Sequence, residues 1–375
     1  MTDDPRRRRR RTRRQPHPAP ATDLLPDTAL LQRIADTLIN PTRPRATTSS
    51  DAEHGADHSA DPDALIVDGK QIGTVRALHR SRLLQTDRVE LASGATLFWK
   101  RLTGPLRAET GTLTVLASTE GPVTRVGSGQ RPGDTAAFAV PAVLATVHES
   151  LTDGLLLQDL GPAPLPLPSD AWPSTVRAIH TTPAPAWLPT IDGAHLASLP
   201  ARALAHLDAL RADGVGRWPD SDRIAADLAY LRSLGQHRSS GATTAPYGLC
   251  HSRLDHSALF ATADGTVYVL GWAWASRGPG LLDLLGSLPL GADGNYDAFD
   301  AHDEVLDAYL AAGGDPAAER DRGGLPATRW AAGWHRVVQA ERLLHIVATW
   351  LDHPDDAEHQ REVAALLHEA VQCLR

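Results

Sequence analysis

The stretch HSRLDHSALF, from His251 to Phe260, concentrates more potentially reactive side chains than its surroundings, and the apolar run TVYVLGW follows it after a turn. A histidine-led loop before two short strands can position groups for phosphoryl transfer. That chemistry needs a carboxylate at the acceptor hydroxyl and hard oxygen ligands for Mg²⁺. Acids and amides are missing from this stretch where such a site needs them. The stretch therefore has the outline of a reactive loop without the groups that the reaction needs.

A second candidate is Lys100, since only Lys70 and Lys100 among the 37 basic residues are lysines. Against that background we would expect arginine at any basic position where function does not require lysine. The alternating runs Arg88–Leu91 and Thr96–Arg101 flank the turn ASGA, which predicts a hairpin with Lys100 on its second strand. Glu109 follows in RAETGTLTVLAS, whose apolar spacing predicts a short helix.

The elements that must position these residues change in character along the chain. AFAVPAVLATVHESLTDGLLLQDLG predicts two more strands joined by a turn at Thr152–Gly154, and a proline-rich stretch follows. Beyond it, leucines recur at helical spacing in ARALAHLDALRADG and DRIAADLAYLRSLG. TRWAAGWHRVVQAERLLHIVATWL predicts the longest helix, with Trp330 and Trp334 one turn apart. We expect these tryptophans to pack in the core, and a Trp-lined groove with Trp272 and Trp274 is the alternative.

Composition bounds the class of protein. An apolar content of 42% and a charged content of 22% are typical of globular proteins, and no apolar run is long enough to span a membrane. Cys250 and Cys373 form no spacing pattern, which favours free thiols and a cytoplasmic location. Eight arginines and two aspartates give residues 1–20 a net charge of +6, so the rest of the chain carries −14.

Five segments are predicted. Residues 1–26 form a disordered arginine-rich tail, which could attract an acidic partner or nucleic acid, although a dispensable tail is the simpler explanation. Residues 27–40 have the pattern of a short amphipathic helix, and residues 41–63 that of a flexible linker. Residues 64–160 form a β-rich N-terminal lobe and residues 161–375 a helical C-terminal lobe.

A β-rich half, a proline-rich connection and a helical half interrupted by a loop and hairpin resembles the protein-kinase-like fold of the aminoglycoside phosphotransferase and choline kinase family. FWKRL and RAETGTLTVL resemble the strand and helix that carry the family's paired Lys and Glu. LLLQDLG resembles its connection between lobes, and TVRAIHTTP its LAxLHxxP helix. GLCHSRLDHSALFATADGTVYVLGWAWASRGPGLLDLL resembles LxHGDLHxxNxLxxxDGxxxxIDWExxxxGPxxxDLA. The resemblance covers roughly residues 75–350 and implies an α+β, bilobal fold.

The resemblance also implies roles for individual residues. Lys100 would contact nucleotide phosphates and pair with Glu109, and the segment holding Gln158 and Leu160 would bind adenine through its backbone. An edge-strand cation at Lys100 and a solvated Glu109 are the simpler alternatives. HRSRLLQTD, the one candidate for a phosphate-covering loop, contains no glycine.

The departures from the family pattern fall on its chemistry. Arg253 stands where the family has its catalytic Asp, Ala258 where it has a magnesium-binding Asn, and Gly271 where it has a magnesium-binding Asp, while His251 is kept. Since none of the three supplies an oxygen ligand, we predict no metal site. Arg253 could instead bind a phosphate or acidic ligand, or form a structural ion pair with Asp283 or another acid.

The leading hypothesis is a catalytically degenerate member, a pseudokinase, that binds a ligand, a peptide or a partner enzyme. It needs no cofactor, and ATP or another nucleotide could bind without Mg²⁺. By analogy with kinase-like subunits of the family, peptide natural-product biosynthesis is one setting. The alternatives are an active ATP-dependent phosphotransferase on a small-molecule or peptide hydroxyl, with a rearranged metal site, and a structural scaffold for an oligomer.

Overall fold

Six antiparallel strands form one sheet in the N-terminal half. The computed structural model describes residues 66–67, 70–118, 138–168, 171–212, 220–286, 288, 300–351 and 357–375. The predicted tail, amphipathic helix and linker of residues 1–63 therefore lie outside the described residues. The strands are β1 (Ile66–Val67), β2 (Lys70–Arg80), β3 (Leu84–Leu91), β4 (Thr96–Thr103), β5 (Val143–His148) and β6 (Thr152–Gln158), in the order β1-β2-β3-β4-β6-β5.

Alternation along the strands divides their apolar side chains between the two faces of this sheet. On one face Val89, Leu91 and Trp99 belong to a small separate cluster. On the other face Leu102 and Leu155 join the main hydrophobic core, which continues into the helical half. The sheet is thus covered on one side by the helices.

The predicted turn at Thr152–Gly154 is wrong, because these residues begin strand β6. The chain reverses at residues 149–152, where the Glu149 N–H donates to the Thr152 carbonyl at 2.8 Å. A Cβ on Gly154 would lie 2.1 Å from the Trp99 ring. The glycine is therefore needed to make room for a buried indole, and not for a turn.

The candidate phosphate-covering segment HRSRLLQTD forms the end of β2, a tight turn and the start of β3. The Ser81 N–H donates to the Leu84 carbonyl at 2.8 Å, and the Ser81 hydroxyl donates to the same carbonyl at 3.1 Å. Arg80 turns back to pair with Asp87, which is buried in β3. This hairpin is closed by side chains where a glycine-rich loop would leave its backbone open.

One helix, α1 (Ala108–Ser118), follows β4 after a single 3-10 turn at Gly104–Arg107. It packs against the 3-10 turn Trp272–Trp274 of the other half, so it joins the two halves. The remaining helices in the described residues are α2 (Ala171–Thr181), α3 (Gly193–Ala212), α4 (Ser221–Arg238), α5 (Leu281–Leu285), α6 (Asp300–Ala311), α7 (Ala327–Trp350) and α8 (Ala357–Leu374).

The long helix α7 forms the centre of the helical half, as its apolar spacing predicts. Trp330 and Trp334 are buried, and both indole N–H groups donate to the Arg238 carbonyl at the end of α4, at 2.6 and 3.0 Å. None of the helices in the described part of the chain is long and apolar enough to cross a membrane.

Two small antiparallel sheets interrupt the helices and carry the loop of interest. Strand β7 (Tyr247–Cys250) pairs with β10 (Ser276–Pro279), and between them β8 (Leu259–Ala261) and β9 (Val267–Val269) form a hairpin. The loop at residues 251–258 leaves β7, and Gly271 follows β9. These two short sheets set the position of every residue in the candidate reactive stretch.

Candidate functional site

A cleft of about 460 Å³ lies between the N-terminal sheet and the β8–β9 hairpin. Its volume is in the usual range for small-molecule sites. Apolar side chains from both halves form much of its wall: Leu78, Leu84, Phe98, Leu113, Pro141, Leu157, Phe260 and Leu270. Such a wall suits a flat, largely apolar group such as a nucleobase.

Lys100 and Glu109 meet at the inner side of this cleft. The Lys100 Nζ lies 2.7 Å from the Glu109 Oε1, with side-chain exposures of 13% and 4%. Strand β4 directs Lys100 to the cleft face, and the first turn of α1 brings Glu109 opposite. Both residues line the cleft, so neither is the isolated surface residue of the simpler alternative. The ammonium group is positioned to contact an anionic ligand.

The segment after β6 forms another side of the cleft, where Gln158 and Leu160 both line it. Arg88 of β3 lies against this segment, with its Nε 2.7 Å from Asp159 Oδ2 and its Nη2 2.5 Å from the Gly161 carbonyl. The backbone N–H and C=O of Leu160 have no hydrogen-bond partner among the described residues. They are available to a ligand, and the Arg88–Asp159 pair holds their loop in place.

The loop that leaves β7 is held from below by Asp283. Its two carboxylate oxygens accept the backbone N–H groups of His251 and Ser252, at 2.5 and 2.6 Å. The His251 ring donates from Nε2 to the Leu270 carbonyl, 2.8 Å away, and lies edge-on to Trp272. His251 therefore organises the loop backbone and the following strand.

Burial shifts the pKa values of two groups at this loop. Desolvation lowers the pKa of His251 to about 4, although the Leu270 carbonyl acts in the opposite direction, so the ring is neutral near pH 7. Desolvation raises the pKa of Asp283 to about 7, against the effect of the two N–H donors. Both groups are buried, and both hold the loop through hydrogen bonds to backbone groups.

The three positions predicted to be chemically empty lie in different environments. Gly271 lines the cleft beside Leu270, and Ala258 is buried after the loop. Arg253 is exposed, and it forms no ion pair with any described residue; in particular, Asp283 is occupied by backbone N–H groups. Of the two alternatives for Arg253, a structural ion pair with Asp283 or another acid is therefore not found among the described residues.

The remaining acids of this stretch are used in local turns. Asp255 accepts hydrogen bonds from the N–H groups of Ser257 and Ala258, at 2.7 and 3.2 Å, and caps a 3-10 turn. Asp264 accepts from the Thr262 hydroxyl in the β8–β9 turn. Within the described ranges no group of three or more His, Cys, Asp or Glu side chains could hold a metal ion. The residues present do not fit the magnesium site of a phosphotransferase.

Two features of the site were not predicted from the sequence. Arg342 of α7 donates from Nη1 to the Ser252 carbonyl at 2.7 Å, and its guanidinium lies over Trp274, 4.7 Å from the ring centroid. The Arg88–Asp159 pair is the other. Trp272, Trp330 and Trp334 are buried, with exposures of 0%, 0% and 1%. The alternative of a Trp-lined groove is therefore wrong for these three residues.

Known proteins share this architecture. No family model and no curated protein matches the sequence. Among solved structures, a thermostable mutant of aminoglycoside phosphotransferase APH(4)-Ia in ternary complex with ADP and hygromycin B is 13% identical, with a TM-score of 0.51, covering 80% of this chain and 94% of that chain. A complex of a mutant of the same protein with AMP-PNP and hygromycin B is 12% identical, with the same TM-score and coverage.

A third solved structure is macrolide 2'-phosphotransferase MphH from Brachybacterium faecium, which is 16% identical with a TM-score of 0.45, covering 80% of this chain and 93% of that chain. The similarity to the aminoglycoside phosphotransferase shows the fold. The chain has an α+β, bilobal, protein-kinase-like architecture, and this prediction from the sequence is confirmed.

Proposed function

We propose that this kinase-like chain is a catalytically degenerate binding protein, which holds a nucleotide-like ligand in the cleft without magnesium. The proposal rests on one combined observation: the Lys100–Glu109 pair lies in the cleft, while the positions of Arg253, Ala258 and Gly271 lack oxygen ligands. Arg253, Ala258 and Gly271 offer no oxygen ligand, and phosphoryl transfer in this fold depends on metal-bound charge neutralisation.

The shape and chemistry of the cleft support a nucleotide-like occupant. An apolar wall suits a base, the free backbone groups of Leu160 suit its polar edge, and Lys100 suits a phosphate. The solved phosphotransferase structures of similar fold contain ADP or AMP-PNP. A role for this chain as a recognition subunit of a partner enzyme, including one that modifies peptides, extends the same proposal.

The first experiment measures ligand binding and turnover separately. Calorimetric titration with adenosine, ADP and ATP is carried out in MgCl2 and in EDTA, together with an assay for labelled phosphate transfer. We expect adenine-nucleotide affinities that change less than twofold with Mg²⁺, and no transfer. Magnesium-dependent binding together with turnover would instead establish the alternative, an active phosphotransferase.

A matched pair of variants tests whether the cleft is the binding site. Lys100→Met removes the ammonium group and should weaken ADP binding about tenfold or more, because hydrogen bonds to charged groups contribute about 1.5 to 3 kcal/mol. Arg101→Met changes the next residue of β4, whose side chain lies on the other face of the sheet. Equal affinities of the two variants for ADP would exclude the proposed cleft.

A gain-of-function variant tests the assignment of the three empty positions. The combined change Arg253→Asp, Ala258→Asn and Gly271→Asp should create Mg²⁺-dependent ATP binding. Gly271 has φ +81°, where aspartate is tolerated better than most residues, and a Cβ there meets no atom within 4 Å. The control carries Asn at positions 253 and 271. A folded triple variant whose affinity for ATP does not change with Mg²⁺ would contradict the assignment.

A further inference from the structure

The backbone at Ser252 is held in a strained conformation. Its φ of 64° is the one positive value of a non-glycine residue in the described part of the chain. Such a conformation costs about 1 to 3 kcal/mol and persists only where surrounding groups enforce it. Here the Ser252 N–H donates to Asp283 at 2.6 Å, and its hydroxyl is 2.7 Å from that of Ser276. These contacts fix the direction in which the next residue, Arg253, leaves the loop.

A second guanidinium group reaches the same loop from α7. Arg342 Nη1 donates to the Ser252 carbonyl at 2.7 Å, the carbonyl group that immediately precedes Arg253, and Gln339 Nε2 lies 3.4 Å from it. The Trp274 ring supports the plane of the Arg342 guanidinium. The Nε and Nη2 of Arg342 have no hydrogen-bond partner among the described residues. Two donors of a rigid group therefore remain available.

Arg253 and Arg342 meet at the same loop, where the neighbouring acids are bonded to other groups. Arg253 is exposed and, within the described ranges, unpaired. Desolvation lowers the pKa of Arg342 to about 10; the charges of Glu341 and Asp283 act in the opposite direction, and that of Arg253 adds to the lowering. The nearby acids have other partners: Glu341 pairs with Arg202 at 2.6 Å, Asp283 accepts two backbone N–H groups, and Asp255 caps its 3-10 turn. Adjacent arginines whose neighbouring acids are already bonded to other groups favour the uptake of an anion.

We propose that Arg253 and Arg342 form a binding site for the phosphate group of a ligand. The planar forks of two arginines match phosphate oxygens, and the Trp274 platform and the fixed Ser252 backbone reduce the freedom that each side chain loses on binding. The site goes beyond the proposed nucleotide cleft, because it does not require an adenine group. The phosphate comes either from the end of a nucleotide in the cleft or from a separate phosphorylated small molecule.

The test compares four probes by calorimetry: adenosine, ATP, tripolyphosphate and inorganic phosphate, all in EDTA. Arg253→Gln removes the exposed cation, and Arg232→Gln removes an exposed arginine of α4 as the control. We expect Arg253→Gln to weaken binding of at least one phosphate probe about tenfold, while Arg232→Gln changes it less than twofold. Arg342→Lys, which keeps the charge but loses the fork, should give an intermediate loss.

Each outcome assigns or overturns the site. Equal losses for ATP and tripolyphosphate support the terminal phosphates of a nucleotide as the source, whereas a loss confined to inorganic phosphate supports a separate phosphorylated ligand. If Arg253→Gln and Arg232→Gln behave alike with all three phosphate probes, the site is wrong. Adenosine contains no phosphate, so its failure to bind would refute the nucleotide cleft and leave this site to be judged by the other probes.

Discussion

A double-mutant cycle on Lys100 and Glu109 measures how strongly these two side chains of the cleft wall are coupled. The pair is short, at 2.7 Å, and is largely removed from water, with side-chain exposures of 13% and 4%. Removing one partner of such a pair leaves a buried charge uncompensated, which costs about 3 to 5 kcal/mol. Because an exposed pair of equal length lacks this desolvation, burial and not distance sets the expected magnitude.

The two single changes are chosen to preserve volume. Lys100→Met keeps the aliphatic stem and should lower the free energy of unfolding by about 3 to 5 kcal/mol, since the carboxylate of Glu109 is then unpaired. Glu109→Gln leaves an amide oxygen facing the ammonium group and should cost about 1 to 3 kcal/mol. The double variant contains neither charge, so its loss should be smaller than the sum, with a coupling of about 2 kcal/mol or more.

Urea unfolding followed by circular dichroism gives the four free energies of the cycle. The control is the same cycle on Arg211 and Asp222, a pair of almost equal length at 2.8 Å in which the aspartate is fully exposed. We expect a coupling close to zero there, as is usual for exposed ion pairs. Similar couplings for both pairs would refute the argument that burial makes the Lys100–Glu109 contact strong.

Two further predictions concern stability. The pKa of His251 is about 4 in the folded protein and 6.5 in the unfolded chain, because burial disfavours the charged ring. The neutral ring therefore contributes its full stability above pH 6.5, and about 3 kcal/mol of the free energy of unfolding is lost as the pH falls toward 4. Urea midpoints measured between pH 4 and 8 should fall less steeply toward acid pH for His251→Gln than for the unchanged protein. Gly154→Ala forces a Cβ to within 2.1 Å of Trp99 and should cost about 3 kcal/mol, whereas Gly73→Ala, with its nearest contact at 3.4 Å, should cost less than about 1 kcal/mol in the same assay.

Local patterns in the sequence carried much of the fold. The hairpin that holds Lys100 follows from alternation around a short turn. Glu109 lies nine residues after Lys100, in the helix that comes next. The Lys100–Glu109 contact could be predicted locally, because it requires only that a strand be followed by a helix packed on its face. The long helix α7 was equally predictable, because its tryptophans and leucines repeat at helical spacing over 24 residues.

The errors and omissions have a common physical cause in contacts between distant parts of the chain. A glycine beside Thr152 and Asp153 is typical of a turn, and only the position of the Trp99 ring explains why Gly154 belongs to a strand. Arg342 lies 90 residues from the Ser252 carbonyl that it binds. Pairing at such separations depends on how helices pack, and the spacing of residues along α7 does not specify it.

Two features of the loop at residues 251–253 lower the stability of the protein, and they call for an explanation. Asp283 is buried with a pKa raised to about 7, and Ser252 is strained, so both features lower stability compared with an apolar, relaxed loop. Packing alone gives no reason to accept these costs, since simpler loops could join β7 to the following hairpin. The residue that the loop presents, Arg253, has no ion-pair partner in the described part of the chain and lies beside a second arginine, Arg342. A loop held under strain to present cations is better explained by binding an anion than by a structural role.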